Sequence, residues 1–135
     1  MQKIHVEGDS KLKNTGGKQY SMFVGRFQPF HAGHRWIVDE ILDEGKNVLI
    51  CIRDIEPDDK NPYTSQEVEN RITGVLIDLI QEGRVKVMII PDIESINFGR
   101  GVGYDIIEHI PPQEVSDISA TKIREQLRNE GKLRC

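Results

Sequence analysis

Three short apolar runs alternate along the chain with stretches whose apolar residues recur at helical spacing. The runs lie at residues 20–25 (YSMFVG), 47–52 (NVLICI) and 85–90 (VKVMII), and their length is typical of buried strands. Strands that alternate with helices predict an α/β fold with a parallel sheet covered by helices. Because ligands bind such sheets at the carboxyl ends of the strands, the loop after the first strand is the expected site.

Two helices are predicted between these strands, and a third near the C-terminus. The first covers about residues 33–44, and the last covers about residues 121–130. The second covers residues 64–83, and its start is marked by a capping box between Thr64 and Glu67. The apolar positions that define the three buried faces are Ile37, Val38, Ile41, Leu42, Val68, Ile72, Val75, Leu76, Leu79, Ile80, Ile123 and Leu127.

The stretch between the third strand and the last helix has a weaker pattern. Residues 95–98 and 104–110 are predicted to form two further short strands around the glycine-rich turn 99–103, which gives a sheet of about five strands. Residues 1–19 are polar and contain a glycine pair, as is typical of a flexible N-terminal arm. The folded domain is therefore expected to cover residues 20–135.

Composition narrows the possible classes of protein. A chain of 135 residues with 37% hydrophobic and 30% charged residues suits one globular domain. A net charge of -4 disfavours broad binding to nucleic acid, and no apolar run is long enough to span a membrane. The N-terminus lacks the apolar core of a signal peptide, so we expect a cytoplasmic protein. Cys51 and Cys135 form no CxxC pair, which makes a zinc site improbable and fits a reducing compartment.

The first and last predicted helices begin without an acidic residue. Residues 31–35 (HAGHR) and 119–124 (SATKIR) carry basic or protonatable side chains there, whereas the middle helix has Glu67. The helix dipole makes each such placement unfavourable by roughly a few tenths of a kcal/mol. A bound anion would reverse that cost, and the free N–H groups at a helix start point at it. Chance is the alternative, but two such starts in one small domain favour an anion site.

Two segments resemble the signatures of the nucleotidyltransferase superfamily. Residues 25–34 (GRFQPFHAGH) are similar to its HxGH element, and residues 118–124 (ISATKIR) to its ISxTxIR element. The resemblance spans about residues 20–130 and implies a Rossmann-like parallel sheet. It also implies direct attack of a phosphate or similar oxyanion on the α-phosphate of a nucleoside triphosphate, with release of pyrophosphate.

The resemblance implies catalytic roles for His31, His34 and Arg124. Two imidazoles that donate hydrogen bonds and carry protons near neutral pH would offset the charge that develops on the phosphates. Magnesium is expected on the triphosphate, held by phosphate oxygens and water, because the sequence shows no carboxylate cluster for a protein metal site. Taken singly, the side chains of His31 and His34 would more often belong to turn or capping residues. The implied nucleotide and phosphate ligands are Gly25, Arg26, Phe27, Gln28, Gly33, Ser119, Thr121 and Lys122.

The form of the first signature is similar to the adenylyltransferase branch, especially archaeal-type nicotinamide mononucleotide adenylyltransferases. Residues 61–64 (NPYT), followed by Arg71, resemble that branch's NPFT segment and the arginine after it. A turn that merely opens a capped helix is the alternative. Transfer of AMP from ATP to a small phosphorylated acceptor is therefore favoured. Candidate acceptor-binding residues are Arg53, Tyr63, Arg71 and Arg100.

Other functions remain open at this point. The chain lacks an SGNPLV-like segment, and only residues 91–117 separate the third strand from the second signature. This short length resembles compact cytidylyltransferases, which use CTP and a polyol or amino-alcohol phosphate. A nucleotide-binding regulator without catalysis and a structural module of a larger assembly are further alternatives. A homodimer is expected because dimers are common for such small domains.

Overall fold

A three-stranded parallel sheet forms the centre of the computed structural model, which describes residues 19–116 and 120–131. The strands are β1 (Tyr20–Gly25), β2 (Asn47–Asp54) and β3 (Val85–Pro91), in the order β1-β2-β3. Both pairings are parallel, so all three carboxyl ends lie at one edge. The three predicted strands and the α/β fold class are therefore confirmed.

Helices connect and cover the strands. They are α1 (Ala32–Asp43), α2 (Ser65–Val75), α3 (Ile77–Gln81), α4 (Gln113–Ser116) and α5 (Ala120–Asn129). The first and last agree with the predicted helices within about one residue at each end. The short α4 was not predicted, because four residues are too few to display a helical period.

One continuous hydrophobic core lies between the sheet and helices α1 and α2. Val48, Ile50 and Ile52 alternate along β2, so they share one face of the sheet, and all three are fully buried. Cys51 lies between them in sequence on the opposite face and is also fully buried, as its apolar context predicted. The helix residues that complete this core are Val38, Ile41, Val68, Ile72 and Leu76.

The prediction of one continuous helix over residues 64–83 is wrong. The helix is interrupted at Leu76, whose backbone adopts φ -109° and ψ 21°. Thr73, Gly74 and Val75 precede the interruption, and all three are weak helix formers. The interruption leaves Leu76 buried while Val75 is half exposed. Core packing of Leu76 therefore outweighs the continuation of a regular helix.

The prediction of strands at residues 95–98 and 104–110 is also wrong. Neither segment joins the sheet, so the described residues contain three strands rather than about five. Alternating apolar residues form a strand only where a neighbouring strand covers them, and these side chains are exposed instead. Gly101 and Gly103 adopt positive φ between the two segments, and extended pairing ends there.

Arg84 joins the elements at the opposite edge of the sheet, where β2 and β3 begin. Its guanidinium donates hydrogen bonds to the carbonyl oxygens of Leu42 (3.0 Å) and Lys46 (2.9 Å) and to Asn47 Oδ1 (3.2 Å). Leu42 lies in the last turn of α1, where carbonyl groups lack helical partners and the dipole favours a cation.

Within the described part of the chain, no helix is long and apolar enough to cross a membrane.

Candidate nucleotide-binding site

A cleft of about 470 Å³ opens at the carboxyl edge of the sheet, where the sequence predicted a site. The loop after β1, the end of β2, the segment before α2 and the start of α5 all contribute to it. Its charged lining residues are all basic, so no carboxylate among the described residues faces it. The lining residues are Gly25, Arg26, Phe27, Gln28, His34, Arg53, Lys60, Asn61, Ala120, Thr121 and Arg124.

Two histidines form the N-terminal cap of α1. His31 Nδ1 accepts the backbone N–H of Gly33 at 3.0 Å, and His34 Nδ1 accepts the backbone N–H of His31 at 3.1 Å. The two rings stack with centroids 3.9 Å apart. Because each Nδ1 accepts a hydrogen bond, each neutral ring carries its proton on Nε2. The cap therefore fixes both rings in the tautomer that donates from Nε2.

Aromatic packing keeps the histidine pair neutral. The His34 ring lies 4.9 Å from Phe27 and 5.5 Å from Phe30, centroid to centroid. Burial, and then the neighbouring His31, lower the pKa of His34 to about 3. Burial, and then the charge of Arg71, also lower the pKa of His31. Burial therefore favours the neutral form of both rings in the protein without ligand, because desolvation disfavours the cation. Protonation in the presence of a phosphate ligand stays a prediction.

Arg124 is the buried cation of the cleft. It is 8% exposed, and it donates from Nη1 to the carbonyl of Gln28 and from Nη2 to Thr121 Oγ1 at 3.3 Å. Burial, and then the charges of Arg128 and Arg26, lower the pKa of Arg124. Among the described residues, no carboxylate forms a salt bridge with it. A positive charge is thus held near the start of α5, because Arg124 lies one turn into the helix and its guanidinium reaches back to Thr121 in the first turn.

Neither helix that borders the cleft has an acidic residue in its first turn. This holds for α1 and α5, whereas α2 carries Glu67 in the predicted capping box with Thr64. The two helix starts that the sequence selected as anion sites thus converge on one cleft, where α1 contributes His34 and α5 contributes Ala120, Thr121 and Arg124. Ser119, the first predicted phosphate ligand of α5, lies outside the described residues.

The loop after β1 is fixed by Phe27, which adopts a left-handed backbone with φ 52°. A bulky residue seldom adopts this conformation. The Phe27 side chain is 3% exposed and packs edge-on against Phe23, with centroids 5.2 Å apart. A Cβ placed on Gly25 would lie 3.0 Å from the Phe27 ring. The Phe27 side chain therefore packs in the core at the margin of the cleft, and its ring leaves little room for a larger residue at position 25.

The segment before α2 is held by buried amides. Gln28 Nε2 donates to the carbonyl of Tyr63 at 3.0 Å, and the Tyr63 N–H donates to Gln28 Oε1 at 2.9 Å. The Asp58 carboxylate accepts the backbone N–H of Lys60 and both the backbone and side-chain N–H groups of Asn61. These bonds place Lys60 and Asn61 at the cleft.

A second cleft of about 450 Å³ adjoins the first at the end of β2 and shares Gly25 and Arg53 with it. Arg53 forms a salt bridge with Asp92 at 2.8 Å and also donates to the carbonyl of Ile93 at 3.2 Å. The remaining lining residues are Val24, Ile93, Glu94, Ser95 and Ile96. Arg53 thus borders both clefts, and its predicted role as an acceptor-phosphate ligand stays a prediction.

Other predicted site residues lie at the margin of the cleft or away from it. Gly33 is buried in the first turn of α1 and donates its N–H to His31. Arg71 donates to the carbonyl of Phe30 at 3.0 Å and so lies beside the histidine loop. Lys122 is exposed on α5. Arg100 is exposed and lines neither cleft, so the structure does not bring this candidate to the site.

Lys60 is the cleft residue that the sequence analysis missed. Its ammonium group has no hydrogen-bond or ion-pair partner among the described residues. The available signal was its position directly before the NPYT segment, but a charged loop is usually solvated. Only the fold shows that this loop borders the same cleft as the starts of α1 and α5.

The family model and the curated relatives that match this chain agree with each other. Residues 22–93, just over half of the chain, match the family model described as cytidylyltransferase-like. A nicotinamide-nucleotide adenylyltransferase of Caldivirga maquilingensis is 33% identical over 100 residues, which cover 70% of this chain and 53% of the relative. One from Methanospirillum hungatei is 33% identical over 79 residues, 57% of this chain and 42% of the relative.

A third relative, from a bacterium, is also similar to this chain. The nicotinamide/nicotinic acid mononucleotide adenylyltransferase of Acinetobacter baylyi is 29% identical over 80 residues, 58% of this chain and 41% of the relative. Across these three proteins, the matched part of the chain spans about half the length of the curated relatives.

Proposed function

Because the chain belongs to the cytidylyltransferase-like family of nucleotidyltransferases, we propose that it transfers AMP from ATP to a small phosphorylated acceptor and releases pyrophosphate. The observation that carries this proposal is the convergence of two helix starts without acids on a cleft whose charged lining residues are all basic. Such a cleft suits a polyphosphate, since free N–H groups, guanidinium groups and imidazole N–H groups all donate to its oxygens.

The proposed reaction is a direct displacement. An oxygen of the acceptor phosphate attacks the α-phosphorus of ATP, and the bond from that phosphorus to the β-bridging oxygen breaks, so that pyrophosphate leaves. Nε2–H groups of His31 and His34 would donate to the α-phosphate and the leaving group. Enzymes of phosphoryl transfer act mainly by positioning and charge stabilisation. Neutral donors fit this role because they need no proton transfer before the ligand binds.

The start of α5 would bind the rest of the triphosphate. Thr121 and Arg124 line the cleft and would bind the β- and γ-phosphates. Ser119 and Lys122 belong to the same sequence signature and stay candidates for this role. Lys60 and Arg26 also line the cleft and would add positive charge. Gln28 and Phe27 contribute to this site through the backbone and the fold of their loop.

Magnesium would accompany the triphosphate. The charged side chains that line the cleft are all basic and would repel this cation, and no carboxylate is among the described lining residues. Among the described residues, no cluster of three histidine, cysteine or acidic side chains could hold a metal ion. The phosphate oxygens and water would therefore supply its ligands, and its charge would assist departure of pyrophosphate.

The second cleft is the proposed site of the acceptor. Arg53 borders both clefts, so its guanidinium would bind the acceptor phosphate next to the α-phosphate. Tyr63 and Arg71 form hydrogen bonds with Gln28 and Phe30 of the histidine loop and remain candidates for binding the acceptor or for supporting the loop. The names of the relatives indicate nicotinamide mononucleotide as the first acceptor to test.

Pyrophosphate release is the decisive measurement. We expect release with ATP, magnesium and nicotinamide mononucleotide, and less with CTP, GTP or UTP. The acceptor panel includes nicotinate mononucleotide, glycerol 3-phosphate and phosphoethanolamine. A strong preference for CTP would replace the adenylyltransferase assignment with a cytidylyltransferase. Triphosphate binding without release for any acceptor in the panel would contradict the proposed transfer and indicate a regulatory nucleotide-binding protein.

A further inference from the structure

Gln28 joins three separate parts of the cleft through hydrogen bonds. It is 4% exposed, and its side-chain amide forms the paired bonds with the backbone of Tyr63 described above. Its own carbonyl accepts a hydrogen bond from Arg124. The residue therefore links the loop that carries His31, the segment before α2 and the start of α5.

The two Tyr63 groups depend on Gln28. Among the described residues, neither the Tyr63 N–H nor its carbonyl has another hydrogen-bond partner. A buried backbone group that loses its partner is costly, so this segment would move if the amide were removed. Any movement of residue 28 would also displace the carbonyl that anchors Arg124.

We propose that Gln28 is a positioning residue that holds the histidine loop, Tyr63 and Arg124 together in the geometry that receives the triphosphate. This inference rests on the proposed function for the identity of the ligand. It adds a positioning role to the predicted nucleotide-binding residue Gln28, whose side-chain oxygen and nitrogen both form hydrogen bonds with the Tyr63 backbone.

Hydrogen exchange of the protein without ligand tests the linkage directly. Gln28→Met keeps the length of the side chain and removes both hydrogen bonds. We expect amides at 32–35 and 121–129 to exchange about tenfold faster, as for the loss of one buried hydrogen-bonded link. Ile72→Val is the matched control, because it lowers stability in the core of α2 without touching the cleft. Faster exchange confined to residues 61–64 would overturn the proposal.

ATP affinity, measured by calorimetry with magnesium, separates positioning from simple stabilisation. We expect Gln28→Met to bind ATP about tenfold more weakly than the wild type, while Ile72→Val binds it within about twofold. Equal affinities for Gln28→Met and the wild type would show that Gln28 only stabilises the fold. If Gln28→Met does not fold, Gln28→Glu serves instead, because it retains the acceptor for the Tyr63 N–H and loses the donor.

The two proposals fail in different ways. A wild-type protein that binds ATP and releases no pyrophosphate contradicts the transferase and leaves the affinity test of Gln28 valid. A wild-type protein that does not bind ATP contradicts the proposed function, and the exchange experiment, which contains no nucleotide, still decides whether Gln28 links the three segments.

Discussion

Arg84 and Arg124 lie at opposite edges of the same sheet and show how differently one side chain is accommodated. Arg84 donates to three acceptors at the end of α1 and the start of β2, where the helix dipole favours a cation. Arg124 lies one turn into α5 with its guanidinium beside Thr121 of the first turn, where burial and the charges of Arg128 and Arg26 oppose its own charge more than that of Asp58 favours it. Arg84 joins elements of the fold, while Arg124 has no salt-bridge partner among the described residues, and among their carboxylates only the more distant Asp58 offsets its charge.

This difference separates stabilising from functional cations. An arginine at a helix C-terminus with carbonyl partners needs no ligand to account for it. An arginine at a helix N-terminus, buried and without a carboxylate, is better balanced with an anion present than without one. The histidines of the same cleft show a related effect. Burial disfavours their cationic form, which a bound anion would favour.

The largest expected effect concerns His34 at the cleft. In His34→Ala, the Nε2 donor and the cap of the His31 N–H are both lost. Turnover should fall by about 10²–10⁴, the range for a group that stabilises transition-state charge or moves a proton. Pyrophosphate release under saturating substrates measures it. His109→Ala is the control, since His109 lines neither cleft. Turnover close to wild type in a folded His34→Ala protein would contradict the assigned role.

The next effect tests Arg124 itself. In Arg124→Ala, the triphosphate loses a guanidinium donor, so the Michaelis constant for ATP should rise about tenfold to a hundredfold. Titration of ATP at fixed acceptor measures this change. Arg84→Ala serves as the reciprocal control and should leave the constant within about twofold of wild type. An unchanged constant for Arg124→Ala would mean that Arg124 is as structural as Arg84.

Stability should respond in the opposite order. In Arg84→Ala, the carbonyls of Leu42 and Lys46 lose their charged donor, so the free energy of unfolding should fall by about 2–3 kcal/mol. Urea denaturation at neutral pH measures it. Arg124→Ala should cost less, because removing this cation also relieves repulsion from Arg26 and Arg128. A larger loss in Arg124→Ala than in Arg84→Ala would reverse the comparison.

The smallest effect is the pH dependence that the neutral histidines confer. The pKa of His34 is about 3 in the folded protein and 6.5 as its ordinary value. Below about pH 6.5 the unfolded chain takes up a proton that the folded protein does not, so the free energy of unfolding decreases as the pH is lowered. His34→Gln should flatten this slope between pH 7.5 and 5.0, by up to about 1.36 kcal/mol per pH unit. Urea midpoints at several pH values measure it, with His109→Gln as control; parallel slopes would contradict it.

The sequence predicted those parts of the fold that local patterns determine. Strands β1 to β3 and helices α1 and α5 have strong apolar periods or caps, and the structure has them at nearly the predicted residues. The interruption at Leu76 depends on core packing across the sheet, which a helical period cannot show. The predicted strands at 95–98 and 104–110 failed for the related reason that alternation does not reveal whether a neighbouring strand is present.

The site was predicted as two separate helix starts, and only the fold shows that they converge. The protonation state of His34 depends on contacts with Phe27 and Phe30, which the sequence places nearby but does not orient. The contributions of Gln28 and Lys60 depend on residues far away in the chain, as the bond from Gln28 to Tyr63 illustrates. The sequence therefore predicted the chemical character of the site residues, but it did not predict which residues they contact.

The bond from Arg124 to the carbonyl of Gln28 spans 96 positions of the chain. During synthesis, all three strands leave the ribosome well before α5, so a nascent chain can complete its sheet while the cleft still lacks one wall. A co-translational intermediate would expose the histidine loop without the helix that closes over it. The proposed triphosphate site would be completed only when α5 docks, after the core has formed.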